Sequence, residues 1–221
     1  MTSGFWPLFD LQLVTRRLVL RPPRDEDFAG LIEAADAGIH DPDEMPFSVP
    51  WTDAEPGVRR IMSAKHWWAQ RAGWTSQDWH LGLAVFLEGR PVGVQSILGK
   101  HFPTLKEVST GSWLTKSAQG RGIGREMRAA VLRLAFDGLG AEIARSAAFV
   151  DNPASLAVSR AIGYRENGRL REAPRGVPKE IIGFELTREE WREVSKGFEP
   201  AQILGLDGCI HMFTDTSDPP M

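Results

Sequence analysis

One cysteine and one tyrosine are all that 221 residues contain of either type. The lone Cys209 excludes an internal disulfide framework. There is no basic excess either: 26 Lys and Arg against 29 Asp and Glu give a net charge of −3, whereas a dedicated nucleic-acid binder usually carries a strong positive balance. No apolar run is long enough to cross a bilayer, and no basic stretch followed by an apolar core opens the chain. A cytoplasmic protein is expected, with no membrane partner and no dedicated nucleic-acid binding. No internal repeat is found.

What is present suits one globular domain with an appendage, since 42% of the residues are hydrophobic and 25% charged. "TRRLVLR" (15–21) alternates like a strand and stops at Pro22-Pro23. "RDEDFAGLIEAADAG" reads as a helix with its acids in the first turn, where they suit the helix dipole. A long, proline-rich loop, Ile39 to Gly57, carries Met45, Phe47 and Trp51. A second helix follows, marked by Val58, Ile61, Met62, Lys65, Trp68 and Ala69 at the spacing of three and four that an amphipathic helix needs. Glu88-Gly89-Arg90 joins two strands near 79–87 and 91–98 as a hairpin, and "EVSTGSWLT" (107–115) is a third strand of this group. Beyond it come a helix to about Leu139, a strand at 142–150, a helix opened by "DNPAS", a strand pair at 166–172 and 179–187, and a short last helix, "REEWREVSK". The fold class is α/β (α+β): one domain, residues 1–197, with a mixed, mostly antiparallel twisted sheet flanked by helices. A C-terminal extension, 198–221, has a strand-like segment, "AQILGLDGCIHMF", and an end expected to be disordered.

The stretch "QGRGIGREM" (119–127) carries the chemistry. Gly120, Gly122 and Gly124 alternate just before a helix, an arrangement that offers backbone N–H groups to an anion. It is not a P-loop, because Arg125-Glu126 stands where Lys-Ser/Thr is needed, and its glycine spacing misses the dinucleotide fingerprint. A pyrophosphate without a required metal fits, with Arg121 and Arg125 as charge partners.

"WLTKSAQGRGIGREM" resembles the strand-plus-loop motif of the GNAT superfamily of acyl-CoA-dependent N-acyltransferases, Gln/Arg-x-x-Gly-x-Gly/Ala, met here by Gln119, Gly122 and Gly124. "DNPASLAVSRAIGY" resembles the following helix of the RimJ/RimL-type branch, and "HDPDEMPFSVPWT" looks like actinobacterial members of it. The resemblance covers roughly residues 14–195. It implies a splayed central strand pair and an acyl-CoA cosubstrate, acetyl-CoA or another acyl-CoA, with no metal. The pyrophosphate would lie on the amides of residues 119–125: Gln119, Gly120, Arg121, Gly122, Ile123, Gly124 and Arg125. The pantetheine would pair with the backbone near Trp113 and Leu114, with Gly111 fitting a bulge or close approach. The reaction implied is direct transfer of the acyl group to a primary amine of a protein or small molecule.

For catalysis, the branch resemblance points to Ser155 as the group that supports the leaving sulfur, although a hydroxyl at that helix position also serves the helix start. Asn152 reads as N-cap or as pantetheine ligand. The usual general-acid tyrosine of relatives falls on Ser159 here, and Tyr164 reads as packing. The strand Glu of some relatives is replaced by Ser109, leaving Glu107, His40, His80 or a loop acid as base, or water alone. A succinyl donor would need a buried cation or hydrogen-bond donors for its carboxylate, for which His40, His80 and Lys116 are the options. A homodimer through Ile203, Leu204, Leu206 and Ile210 is one expectation; closure of these residues on their own sheet is the other. The competing functions are a catalytically silent acyl-CoA-binding module and a phosphate-ester enzyme.

Overall fold

The computed structural model describes residues 5–215. Its strands are β1 (Gln12–Val14), β2 (Leu18–Arg21), β3 (Trp79–Leu87), β4 (Arg90–Gly99), β5 (Glu107–Leu114), β6 (Ile143–Phe149), β7 (Arg165–Glu172), β8 (Lys179–Thr187) and β9 (Gln202–Leu204). They form one sheet in the order β7-β8-β6-β5-β4-β3-β2-β1-β9. Only β5 and β6 are parallel, as their long helical connection requires. The β3–β4 hairpin turns at Glu88 (φ 51°) and Gly89 (φ 76°), the paired left-handed residues that match strand twist.

Helices cover both faces. α1 (Phe28–Asp36) and α2 (Pro56–Ala72) lie on one, where Phe28, Leu31, Trp67, Ala84 and Val94 make a small core. α4 (Ile123–Arg133), α5 (Pro153–Ile162) and α6 (Arg188–Val194) belong to the larger core that contains Leu81, Leu83, Val85, Ile97, Leu134 and Trp191. α3 (Phe102–Leu105) and α7 (His211–Thr214) are single turns. α4 runs on into a π turn at Leu134–Gly138. α5 stops at Gly163, whose φ of 103° is left-handed, and the N–H groups of Gly163 and Tyr164 close its last turn on Arg160 O and Ser159 O.

Two expectations from the sequence are corrected. The apolar stripe whose spacing marked α2 as amphipathic faces outward: Val58, Ile61, Met62 and Trp68 are exposed. Polar anchors set the rotation of that helix. Arg59 binds Asp36 and the carbonyls of Thr52 and Ala54 at one end, and Trp67 packs on Phe28 at 4.3 Å toward the other. The C-terminal segment is a strand only at β9, which pairs with β1; it then turns, buries Cys209 and Phe213 in the main core and ends in α7. Of its apolar residues, Ile203 and Leu206 close on that core while Leu204 and Ile210 stay exposed. β1, the strand that receives β9, carries no separate signal in the sequence reading. The end expected to be disordered lies, from residue 216, outside the described residues.

Candidate active site

β5 and β6 share register only from Glu107↔Ile143 to Thr110↔Ser146. Beyond that point β5 continues to Leu114 paired with β4 alone, and β6 to Phe149 paired with β8 alone. The sheet therefore forks, leaving one backbone edge of each strand free for an extended ligand to pair with. No bulge occurs at Gly111, where the β4–β5 register runs unbroken. A side chain there would meet nothing within 4 Å, so the expected close approach has room and the expected bulge is absent.

α4 begins beside this fork. Gly120 (φ 69°) and Gly122 (φ 76°) take left-handed conformations that other residues adopt only at a cost, and Gly122 is the N-cap. The first bond inside the helix runs from Glu126 N–H to Gly122 O at 3.1 Å. The N–H groups of Ile123, Gly124 and Arg125 consequently have no partner within the helix and open onto its positive end. A Cβ on Gly124 would lie 3.4 Å from Val158 of α5 and 3.9 Å from Leu114 of β5. Helix start, second helix and free strand edge thus converge.

The side chains around the loop have different tasks from those expected. Gln119 Nε2 donates to Leu114 O at 2.8 Å and Ile39 O at 2.7 Å, while its N–H goes to Lys116 O; it braces the loop and offers no free donor. Arg121 is exposed, and its carbonyl accepts from Arg17 Nη1 at 3.0 Å. Arg125 turns away, its guanidinium 4.7 Å from the centre of the Phe198 ring, beside a cleft of about 270 Å³ that Thr15, Glu126 and Phe198 also line. Ile123 is buried, so only its backbone faces the loop. Two residues missed in the sequence complete the region: Thr15 Oγ1 donates to Glu126 Oε1 at 2.6 Å and Arg17 Nε to Oε2 at 2.7 Å. They compensate the one acid in the first turn of α4, which would otherwise repel a phosphate.

At α5, Asn152 Oδ1 accepts the Ser155 N–H at 3.1 Å, which fixes Asn152 as the N-cap and leaves its Nδ2 without a partner among the described residues. Ser155 is half-buried at the mouth, and its hydroxyl makes no hydrogen bond among those residues. Ser159, one turn on, is fully buried and its hydroxyl is orphaned. It lies on the buried face of α5 with Leu156 and Ile162. Tyr164 is also in the core. Burial raises the pKa of its phenol, partly opposed by the charge of Arg128 and by Thr110.

The base options fare unevenly. Glu107 lies at the far end of β5 from the fork and grips Arg145 through both oxygens, at 2.6 and 3.0 Å; Arg145 also binds Glu185 at 2.7 Å. Both carboxylate oxygens of Glu107 are therefore occupied. His40 is tied through both ring nitrogens, to Asp41 O and Thr52 Oγ1, each at 2.8 Å. His80 is pushed down to about 4 by burial, with the neighbouring His66 adding to it, and sits on β3 away from the fork. Lys116 is paired with Asp41, and Asp53 with Arg175 at 2.6 Å, which leaves two of the loop acids already neutralised.

The long loop does fold over this part of the sheet. Met45 is buried, and the rings of His40, Phe47, Trp51 and Trp113 form a chain with successive centroids 5.7, 5.5 and 5.9 Å apart. Trp113 is therefore a wall residue on the α1–α2 face and packs against the smaller core. Leu114 points the other way, toward α4.

A polar cluster that the sequence reading did not single out fills the apex of the fork. Arg128 on α4 donates from Nη1 to Ser146 Oγ at 2.9 Å, from Nη2 to Ser112 Oγ at 3.4 Å and from Nε to Gln95 Oε1 at 3.4 Å. Gln95 Nε2 donates to Gly111 O at 3.0 Å. The signal was available: Arg128 follows Gly124 by four residues and so shares its helix face.

The forked sheet thus has a helix start with free N–H groups beside it, and the class of protein is given by the family. The sequence profile of the acetyltransferase (GNAT) domain matches residues 17–165, and the chain belongs to the GNAT acetyltransferase family. Its fold is similar to that of Mycobacterium smegmatis RimJ in complex with CoA-disulfide, with TM-score 0.67 and 22% identity over 92% of this chain and 95% of that one. It is also similar to RimL, a ribosomal L7/L12 alpha-N-protein acetyltransferase in complex with coenzyme A, with TM-score 0.61 and 20% identity over 80% and 97%. A GCN5-related N-acetyltransferase from Brucella melitensis gives TM-score 0.67 and 17% identity over 84% and 82%. Among the described residues no helix is long and apolar enough to cross a membrane.

Proposed function

We propose that the protein transfers an acyl group from acyl-CoA to a primary amine by direct attack, as a member of the RimJ/RimL-type branch. The observation that carries this reading is the convergence of the free N–H groups of residues 123–125 with the open edge of β5. The first suits a pyrophosphate and the second an extended amide-bearing arm. Acetyl-CoA is the donor that family membership implies, and succinyl-CoA is the second donor considered. RimL is described as acting on the N-terminus of a ribosomal protein, and a protein N-terminus or a small-molecule amine is the acceptor class proposed here.

In this reading the acceptor enters from the α1–α2 face, along the aromatic chain ending at Trp113. Its neutral nitrogen attacks the thioester carbonyl, and a backbone N–H on the free edge of β5 holds the oxyanion. As the tetrahedral adduct collapses the carbon–sulfur bond breaks, the amide forms, and the proton lost by the amine passes through water to the thiolate. Ser155 donates its hydroxyl hydrogen bond to the departing sulfur, and Asn152 turns its free Nδ2 to the pantetheine. Water takes the base role, since Glu107, His40 and His80 are all otherwise engaged.

The test is a panel of amines, including peptides with free N-termini, incubated with acetyl-CoA while CoA thiol is followed. Acceptor-dependent thiol release with an acylated product by mass supports the transferase. Donor binding without turnover on any acceptor contradicts it in favour of a silent module.

A further inference from the structure

Arg128 is a buried cation without a counter-ion. It is 4% exposed, the groups around it, Gln95, Ser112, Ser146 and the Tyr164 phenol, are neutral, and among the described residues no carboxylate pairs with it. The other shielded arginines are treated differently: Arg21 pairs with Asp27, Arg59 with Asp36 and Arg145 with Glu107. Taking a guanidinium out of water is costly unless it is both hydrogen-bonded and charge-compensated. Two of its three hydrogen bonds are long, at 3.4 Å, and its five N–H donors are not exhausted by three acceptors.

Its position narrows what it can serve. The guanidinium bridges the fork, from Ser146, the last β6 residue in register with β5, to Ser112, the first β5 residue beyond the split on the same face. It also lies one turn along α4 from Gly124, on the same face. A donor whose pyrophosphate rests on the N–H groups of residues 123–125, and whose arm follows β5, brings its acyl end to this apex. The donor's phosphates are then spent at the helix start. An anion that meets Arg128 has to belong to the acyl group itself.

We propose that Arg128 recognises the terminal carboxylate of a dicarboxylic acyl group, so that the preferred donors are CoA thioesters of the malonyl, succinyl and glutaryl type. This rests on the acyl-CoA reading above. A planar guanidinium is matched to a carboxylate and binds it through parallel hydrogen bonds. Gln95, held by Gly111 O, and Ser146 fix its orientation. The residues that the sequence suggested for this task are occupied elsewhere: both nitrogens of His40 are bonded, and Lys116 is paired with Asp41. A carboxylate at the apex supplies the charge that the fold leaves uncompensated.

The experiment compares succinyl-CoA with butyryl-CoA, which has the same chain length and no charge, and with acetyl-CoA, on one amine acceptor. Wild-type protein is expected to prefer succinyl-CoA over butyryl-CoA by about 10- to 100-fold in kcat/KM, the range of a hydrogen bond to a charged group. In Arg128→Met that preference vanishes while the affinity for free CoA stays unchanged; in Arg128→Lys it is partly retained. Equal use of the two donors by wild-type protein overturns the proposal without any variant, so a variant that fails to fold leaves the decision intact. Survival of the preference in Arg128→Met overturns it too, as does an equal loss for every donor, which would make Arg128 a structural brace. CoA that does not bind wild-type protein removes the acyl-CoA reading and this proposal together; CoA that binds without donor preference removes only this one.

Discussion

Gln119 Nε2 donates to Leu114 O at 2.8 Å, and this contact locks the glycine loop to the end of the strand whose edge lies open. The same amide reaches Ile39 O, so the loop, the strand and the start of the long Ile39–Gly57 segment are held by one side chain. Helix start and strand edge are thereby held together, as the proposed ligand spanning both would require.

The cradle itself is tested at Gly122 and Gly124. Gly122→Asp forces a side chain into a left-handed conformation and puts a negative charge at the helix start; Gly124→Asp sets a carboxylate between Val158 and Leu114. Both are expected to abolish CoA binding. Titration calorimetry with CoA, alongside circular dichroism to confirm folding, reads the outcome, and a folded variant with wild-type affinity would show that the pyrophosphate lies elsewhere.

Ser155 and Asn152 separate catalysis from capping. Ser155→Ala is expected to lower kcat by about 10- to 100-fold, the worth of a hydrogen bond to a charged leaving group, with the Kd for CoA unchanged. Asn152→Ala removes the cap and should cost about 1 kcal/mol of stability as well as donor affinity. If Ser155→Ala lowers the melting temperature and leaves kcat intact, the hydroxyl serves only the helix.

Glu107→Gln is expected to keep its turnover. The Glu107–Arg145 pair is partly exposed and Arg145 retains Glu185, so the loss in stability should not exceed about 1 kcal/mol. A collapse of kcat in a folded Glu107→Gln protein would restore the carboxylate as the base.

The His66–His80 pair predicts a pH dependence of stability. Gln70 Nε2 lies 2.7 Å from His66 Nε2 and 3.3 Å from His80 Nε2, and burial lowers the pKa of both rings, that of His80 to about 4. The unfolded chain therefore binds these protons more readily than the folded one. The contribution of His80 is complete above pH 6.5 and disappears as pH falls toward 4, by at most about 3 kcal/mol. Urea unfolding of wild-type protein and His80→Gln across that window should show a smaller acid loss in the variant; identical slopes would exclude His80 as the source.

Much of this site was legible because it is local. The glycine spacing, the Asn152 cap with Pro153 behind it, and the Glu88-Gly89 turn are each decided within a few residues. The rotation of α2 was not, because the contacts that fix it, Arg59 to Asp36 and Trp67 to Phe28, bridge distant segments and outweigh the periodicity of the apolar stripe. β1 was equally hidden, since three residues carry too little alternation to register, and of the expected C-terminal strand-like segment only β9 pairs. Glu107 and Ser159 were picked by position in the chain, and the pairing of the first with Arg145 and the burial of the second depend on distant segments. The charge at the apex of the fork was hidden for another reason. Arg128 stands on the buried stripe of α4 between Met127 and Val131, and only the split between β5 and β6 gives that position a meaning.

The most direct measurement is acceptor-dependent release of CoA thiol from an acyl-CoA, followed with a thiol reagent. Cys209 is buried and its pKa is pushed up to about 11 by burial and by Asp10 and Asp207, so the folded protein contributes little signal of its own. Stoichiometric thiol release with an N-acylated amine, lost in Gly122→Asp, is the result expected of an N-acyltransferase. Tight CoA binding with no thiol released for any amine would contradict it.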